Sequence, residues 1–468
     1  MASLIVIRII GSHALPVYDD AYITFRYARN LAYTGSFVYN PGEWVQGVTT
    51  PLFGLISALF YLLHAPMPTT VLVVNIIADA LISFLMYRAL RVTISQTSGV
   101  FFVLLFAFSP TIVRVSVGCM ESNLFLLGSL FAILLSQKGK TLAAVGLAAI
   151  LFFVRPEGAI LVGLLLLKLI LGKEWKNLLL SLGLVSILVI PPLVFLQSIY
   201  GSCIPHSIAA KSNDLYLSPL QIARRMLVPE VFAMALLPLS LYGLAVSLKG
   251  NAFLRMTSAW VGLYLASYLV MRPWIWSWYS LPVQYGLILF AGIGLAHAID
   301  KLKFFEILAK RINVSYAGSF FVVAIWALIL MKTGSSGVTK NIYEPLETWG
   351  NSTRLQNKTI LATDIGAIGY YTNAYIYDGL GLITPDAVHY KSLSTILRQH
   401  SFDYLFLNAT KETMSLFSDQ QLGDKYSPVK RFSKVGLTVM DKDADQYATE
   451  WVQDYILFRL KAPTNSER

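Results

Sequence analysis

Long apolar blocks separated by short, mostly basic loops constrain this chain more than any other feature of its sequence. Residues 70–87, 99–113, 120–136, 141–154, 158–172, 177–197, 227–248, 257–270, 280–298 and 314–331 are such blocks. A helix needs about 20 apolar residues to cross the hydrocarbon of a bilayer, so each block is a candidate span. With the first run, residues 2–15, which holds Arg8, the expected spans number eleven. Only 13% of the residues are charged, against roughly 25% in soluble globular domains, and this argues against a large water-soluble core. Residues 51–64 are apolar but brief, suit an interfacial or re-entrant helix, and are left uncounted. No small-residue cleavage pattern follows the first run, so no cleavable signal peptide is expected.

The loops orient these spans. Arg88, Arg91, Lys138, Lys140, Lys173, Lys176, Lys249, Arg255, Lys301, Lys303, Lys310 and Arg311 fall in every second loop. The positive-inside rule assigns those loops, and the N-terminus, to the cytoplasm. The net charge of +11 therefore reads as topology, and no nucleic-acid partner is expected. The 17–50 loop and the chain from 332 onward then lie outside the cytoplasmic membrane. That tail, 332–468, turns polar, with short runs at 359–362 and 404–407 and a helix-like stretch at 387–399, as expected of a small α/β domain. The predicted organisation is a transmembrane part, 1–331, and an extracytoplasmic α/β domain, 332–468.

The first external loop carries the densest chemistry. Asp19 and Asp20 stand where the first helix leaves the membrane, next to low-dielectric surroundings that can raise a carboxylate's pKa toward base strength. Helix capping is the plainer reading of such a pair. Tyr22, Arg26 and Arg29 recur at helical spacing, and Asn40-Pro41-Gly42 marks a turn. On the same side the topology gathers Arg114, Glu121, Arg155, Glu157, His206, Lys211 and Arg272, a mixture of cations and carboxylates suited to a lipid-linked phosphate. Trp274, Trp276, Trp278 and Tyr279 fit an interfacial belt or a platform for a sugar or isoprenoid. There is no GxxxxGK[ST], HExxH or CxxC motif, and Cys119 and Cys203 are too few for a disulfide framework.

The run Tyr18-Asp19-Asp20-Ala21-Tyr22-Ile23-Thr24-Phe25-Arg26-Tyr27-Ala28-Arg29-Asn30-Leu31 is followed by Asn40-Pro41-Gly42-Glu43, Val45, Gly47 and Thr49-Thr50-Pro51-Leu52. Together they resemble the GT-C class of integral-membrane glycosyltransferases, and within it the terminal β-(1→2)-arabinofuranosyltransferases and their broader relatives. Arg155-Pro156-Glu157-Gly158, Tyr200-Gly201 with Pro205 and Ala210-Lys211, and Trp278-Tyr279 before Pro282 extend the likeness over most of the membrane part. Asp364-Ile365-Gly366-Ala367-Ile368-Gly369 and Asp378-Gly379-Leu380-Gly381-Leu382-Ile383 carry a looser match in the tail. His206 departs from the small polar residue usual in that family.

The resemblance implies an inverting transfer outside the membrane, from a polyprenyl-phosphate sugar, arabinofuranose among the candidates, to an extracytoplasmic glycan or glycolipid hydroxyl. It implies Asp19 as general base, with Asp20 as its alternate or as a partner for metal or acceptor. Arg26, Glu43, Arg155, Glu157, His206, Lys211, Arg272, Trp278 and Tyr279 are the candidates for holding donor or substrate. No cofactor is required by the chemistry; a divalent ion on Asp20 and Glu121 is an open option. Two other classes stay open at this point: a transporter or flippase for a lipid-linked saccharide, and a non-catalytic wall-polymer assembly protein.

Overall fold

The computed structural model describes residues 2–212, 217–301, 338–353, 355–390, 392–417, 420–433 and 454–461. The expected span 314–331, the boundary at 331/332 and the side chain of Lys211 lie outside the described residues. The chain opens with α1 (Ala2–Ala14), α2 (Asp19–Thr34), α3 (Pro51–Leu62), α4 (Thr69–Thr93) and α5 (Gln96–Phe108). It continues through α6 (Pro110–Val117), α7 (Ser122–Gln137), α8 (Thr141–Leu151), α9 (Gly158–Leu171) and α10 (Trp175–Tyr200). Then come α11 (His206–Ser212), α12 (Pro219–Leu227), α13 (Val231–Leu248), α14 (Ala252–Met271) and α15 (Leu281–Lys301).

The expected count of eleven spans is not reproduced. Among the described residues four helices are long and apolar enough to cross a membrane, and a fifth span results if α5 and α6, bent by 60° at their junction, count as one. Much of the shortfall is one of length. The 11 residues of α8 rise only about 16 Å, well under the ~30 Å of a hydrocarbon core. The block read as 99–113 is the bent pair, because Ser109 leaves the helical region and caps α6 while Pro110 opens it. The uncounted stretch 51–64 holds the 12-residue helix α3. Burial separates the long helices: 78% of the apolar window around α15 is buried, against 6% for α10. Leu179, Ile187, Val194 and Phe195 of α10 accordingly face outward, as lipid-exposed residues do.

The tail folds as expected into an α/β unit. Its strands are β1 (Thr359–Ala362), β2 (Tyr375–Asp378), β3 (Tyr404–Asn408), β4 (Tyr426–Phe432) and β5 (Tyr455–Leu460), in the order β2-β1-β3-β5-β4. β1 runs parallel to both β2 and β3, whereas β5 is antiparallel to β3 and β4. The parallel strands are covered on both faces and read as continuous apolar runs such as Ile360, Leu361 and Ala362. Pro428 sits in the edge strand β4, beside a register shift, where a missing N–H costs least. The helix-like stretch 387–399 is two pieces: a 3-10 turn at Pro385–His389 and a helix at Leu393–Gln399, capped by the Ser392 side chain. Bundle and tail share one core, with Ile360, Ile365, Ile368 and Phe406 packed in the same apolar cluster as Tyr22, Phe25 and Tyr39.

Candidate functional site

The loop 17–50 does form a helix where its spacing predicts one. α2 begins at Asp19 and ends at Gly35, whose φ of 74° closes the last turn. Successive residues on a helix point about 100° apart, so the two leading carboxylates cannot face the same way. Asp20 lines a cavity of about 560 Å³ at the top of the bundle. Asp19 turns to the tail: its Oδ2 accepts from the Gly366 N–H at 2.7 Å and its Oδ1 from the Ala367 N–H at 2.8 Å. Those amides open a short helix just beyond the carboxyl end of β1, at the point where the sheet order reverses and α/β sheets commonly take ligands. Asp19 fills that place itself.

The fit there is tight. A Cβ on Gly366 would lie 1.8 Å from the Asp19 carbonyl oxygen, and one on Gly369 would lie 1.8 Å from the Tyr39 hydroxyl. Burial, the Asp364 carboxylate and, more weakly, Asp20 push Asp19 up to about 7, while its two amide donors pull the other way. Asp364 is itself raised by burial, although the Tyr455 hydroxyl donates to its Oδ2 at 2.7 Å.

Arg26, expected near the donor, is instead the second half of this clasp. It is 2% exposed, and its guanidinium donates to the carbonyls of Tyr39 (2.8 Å), Gly369 (2.7 Å) and Ala374 (2.7 Å) and to Asn40 Oδ1 (3.2 Å). It also stacks on the Tyr39 ring at 4.2 Å. Glu43 lies outside the cavity too, accepting from the Tyr375 hydroxyl at 2.6 Å and the Asn40 amide at 3.1 Å. Arg114, on α6, is absent from the described cavity wall.

The cavity gathers Glu121, Arg155, Glu157, Arg272, Trp278 and Tyr279 of the expected residues, together with Asp20. Arg155 bridges two carboxylates. Its Nη1 donates to Glu121 Oε1 at 2.7 Å and to Ser122 Oγ at 3.0 Å, and its Nη2 donates to Glu157 Oε1 at 2.8 Å. Glu157 Oε1 also accepts from the hydroxyls of Tyr264, at 3.3 Å, and Tyr268. With both ends of its guanidinium engaged by carboxyl groups, Arg155 has little charge to spare for a phosphate. Arg272, exposed at the C-cap of α14 with a φ of 53°, is the cation of the described wall that carries no ion pair. Trp278 stacks on Trp276 with ring centres 5.6 Å apart and packs against Tyr18 at 4.8 Å, so the aromatic run is partly cavity wall. His206 itself stays outside the wall while Ser207 and Ile208 form part of it. Burial lowers the His206 pKa, a hydrogen bond to the Gly381 backbone opposing it.

Sequence reasoning missed several contributors. Tyr264 and Tyr268 were signalled only by a four-residue spacing on one face of α14. Leu382 reaches the cavity from the tail, on a loop organised by Asp378, whose buried carboxylate accepts from the N–H groups of Leu380, Leu382 and Ile383. A second, apolar cavity of about 510 Å³ runs between α9 and α14, walled by Gly163, Leu164, Leu167, Leu263, Ala266 and Val270. It shares Ile160, Ser267 and Met271 with the first. Among the described residues no group of three or more His, Cys, Asp or Glu side chains is arranged to hold a metal ion. Asp20 and Glu121 line one cavity without forming a ligand set.

A family described as a domain of unknown function, DUF8728, matches residues 340–455, the body of the tail. No curated protein is similar enough in sequence to count as a match. Two solved structures are similar in fold: ArnT from Cupriavidus metallidurans bound to undecaprenyl phosphate, with a TM-score of 0.60, and the same protein in the apo state, at 0.59. In each case the identity is 10% and the match covers 97% of this chain and 96% of the other. At that identity the likeness speaks for the fold, over almost the whole length: a polytopic α-helical membrane protein with a C-terminal α/β domain.

Proposed function

We propose that the protein is an inverting glycosyltransferase that moves a sugar from a polyprenyl-phosphate donor to a hydroxyl of an extracytoplasmic glycan or glycolipid. The carrying observation is the junction of a largely apolar cavity, into which Asp20, Glu121, Arg155, Glu157 and Arg272 bring charge, with an apolar groove between α9 and α14. An isoprenoid gains about 0.8 kcal/mol for each CH₂ kept from water, so a lipid-borne donor needs such a lateral groove beside a polar head site. The undecaprenyl phosphate bound to ArnT, which has the same fold, supports a carrier of that class. The alternation of basic loops favours an external cavity and tail. Arabinofuranose is one candidate for the sugar.

Transfer needs a base for the acceptor hydroxyl and a cation for the departing phosphate. Asp20, rather than Asp19, suits the first role, because Asp20 lines the cavity whereas Asp19 turns to the tail. The Asp20 carboxylate takes the hydroxyl proton as that oxygen bonds to the anomeric carbon. The bond from that carbon to the phosphate oxygen breaks with its electron pair leaving on the phosphate, and the configuration inverts. Arg272 meets the growing phosphate charge, and Lys211 is a second cation for that role. The Arg155 triad braces the cavity wall beneath Tyr279, 5.0 Å from the guanidinium. Trp278 and Tyr279 offer faces for a sugar. No step is assigned to a divalent ion.

The test is reconstitution in lipid with defined polyprenyl-phosphate sugars and candidate acceptors, read as a new glycosidic bond of inverted anomeric configuration. Release of polyprenyl phosphate without a glycosidic product, or movement of the intact donor across the bilayer, would reject transfer.

A further inference from the structure

Arg8, the charge inside the first apolar run, is fully buried and takes no part in the chemistry above. Its Nε donates to Asp79 Oδ2 at 2.6 Å, and its Nη atoms donate to the carbonyls of Ala107 at 2.8 Å and Phe106 at 3.2 Å. Those carbonyls end α5 at the 60° bend, where Pro110 lacks the N–H that would otherwise bond Phe106 four residues back. Asp79, on α4 and also fully buried, accepts from Ser116 Oγ at 2.5 Å and, on its other oxygen, from Asn123 Nδ2 at 2.6 Å. One turn earlier on α4, Asn75 donates from Nδ2 to the carbonyls of Ser116 and Met120, at 3.1 Å each.

A buried ion pair gives weak stability by itself, and apolar replacement of both partners is often neutral. What this network does determine is the path of the chain from the α5–α6 bend to the start of α7. That segment contains Cys119 at a φ of 60°, a conformation that a non-glycine residue keeps only when its surroundings hold it there. Next to it, Met120 and Glu121 line the cavity, and Glu121 Oε1 meets Arg155 at 2.7 Å. The only connection between the turn's cavity side and α4 among these contacts is Asn75.

We propose that Asn75 and the Arg8–Asp79 pair are positioning residues that hold the 118–121 turn and thereby set Glu121 against Arg155 in the cavity wall. The network's effect on turnover rests on the glycosyltransferase reading; its effect on the turn does not. The test uses the full chain in lipid nanodiscs carrying Cys203→Ser, so that Cys119, buried in the intact turn, is the one thiol. Asn75→Leu, of similar size, releases both carbonyls without stranding a charge. Maleimide labelling of Cys119 in the folded protein is expected to rise about tenfold. Turnover on a polyprenyl-phosphate sugar is expected to fall about tenfold, as small displacements at a reacting centre do. That loss should vanish in a Glu121→Gln background, since the two substitutions act through one contact. A shielded Cys119, or losses that simply multiply, would overturn the proposal. Should Asn75→Leu fail to insert, the pair Arg8→Met/Asp79→Leu, which removes both charges together, is read the same way. If the parent neither binds undecaprenyl phosphate nor transfers sugar, the enzyme reading fails and the thiol measurement alone decides this one.

Discussion

Adjacent carboxylates at the head of α2 serve two different regions. Asp20 opens onto a cavity that joins an apolar groove, whereas Asp19 and Arg26 join the tail to the bundle through main-chain groups of residues 366–374. The clasp is buried and densely hydrogen-bonded; the cavity is roomy and holds more carboxylates than cations. A single helix thus carries an assembly face and a chemical face about 100° apart, and residue type alone does not say which is which.

Neutralising each carboxylate in turn separates the two faces most strongly. Asp20→Asn is expected to cut turnover by about 10² to 10⁴, the usual contribution of a general base, with folding unchanged. Asp19→Asn should leave the cavity chemistry mostly intact while loosening the tail, measured as faster proteolysis between bundle and tail. Equal turnover losses from both would dissolve the distinction drawn here.

Next in size is the clasp itself. Arg26→Leu strands the carbonyls of Tyr39, Gly369 and Ala374 and should lower unfolding stability by about 3 kcal/mol or more, read as a drop in melting temperature in detergent. Arg272→Gln tests the other side: a donor affinity about tenfold weaker, or about 1.4 kcal/mol, with unchanged melting, is expected if this cation meets phosphate. Unaltered binding of undecaprenyl phosphate would remove it from the site.

A further test is a pH trend. A carboxyl raised to about 7 in the folded protein from 3.8 binds its proton more tightly folded than unfolded. Its contribution to stability is therefore greatest at low pH and declines as pH rises from about 4 through 7. Asp364→Asn removes a repelling charge and should flatten that decline in melting temperature.

Much of the scaffold was legible because its signals are local. The apolar blocks, the helical spacing of Tyr22, Arg26 and Arg29, and the strands at 359–362 and 404–407 each depend on a few neighbouring residues. The span count was less so, since α8 and α9 are apolar helices of 11 and 14 residues whose relation to the bilayer depends on what surrounds them. In the site, the sequence marked Asp20, Glu121, Arg155, Glu157, Arg272, Trp278 and Tyr279, and the fold brings all seven to one cavity.

By itself, then, the sequence determined that this chain is a bundle of apolar helices with an α/β tail, because hydropathy and periodicity act over single turns and strands. Only the tertiary structure decided that Asp19 and Arg26 hold the tail, that Arg155 is spoken for by two glutamates, and that Leu382 reaches the cavity from the far end of the chain. The Asp19 and Arg26 contacts span more than 300 residues of intervening chain and the Arg155–Glu121 contact spans 34, and a charge has a function only once its partners are known.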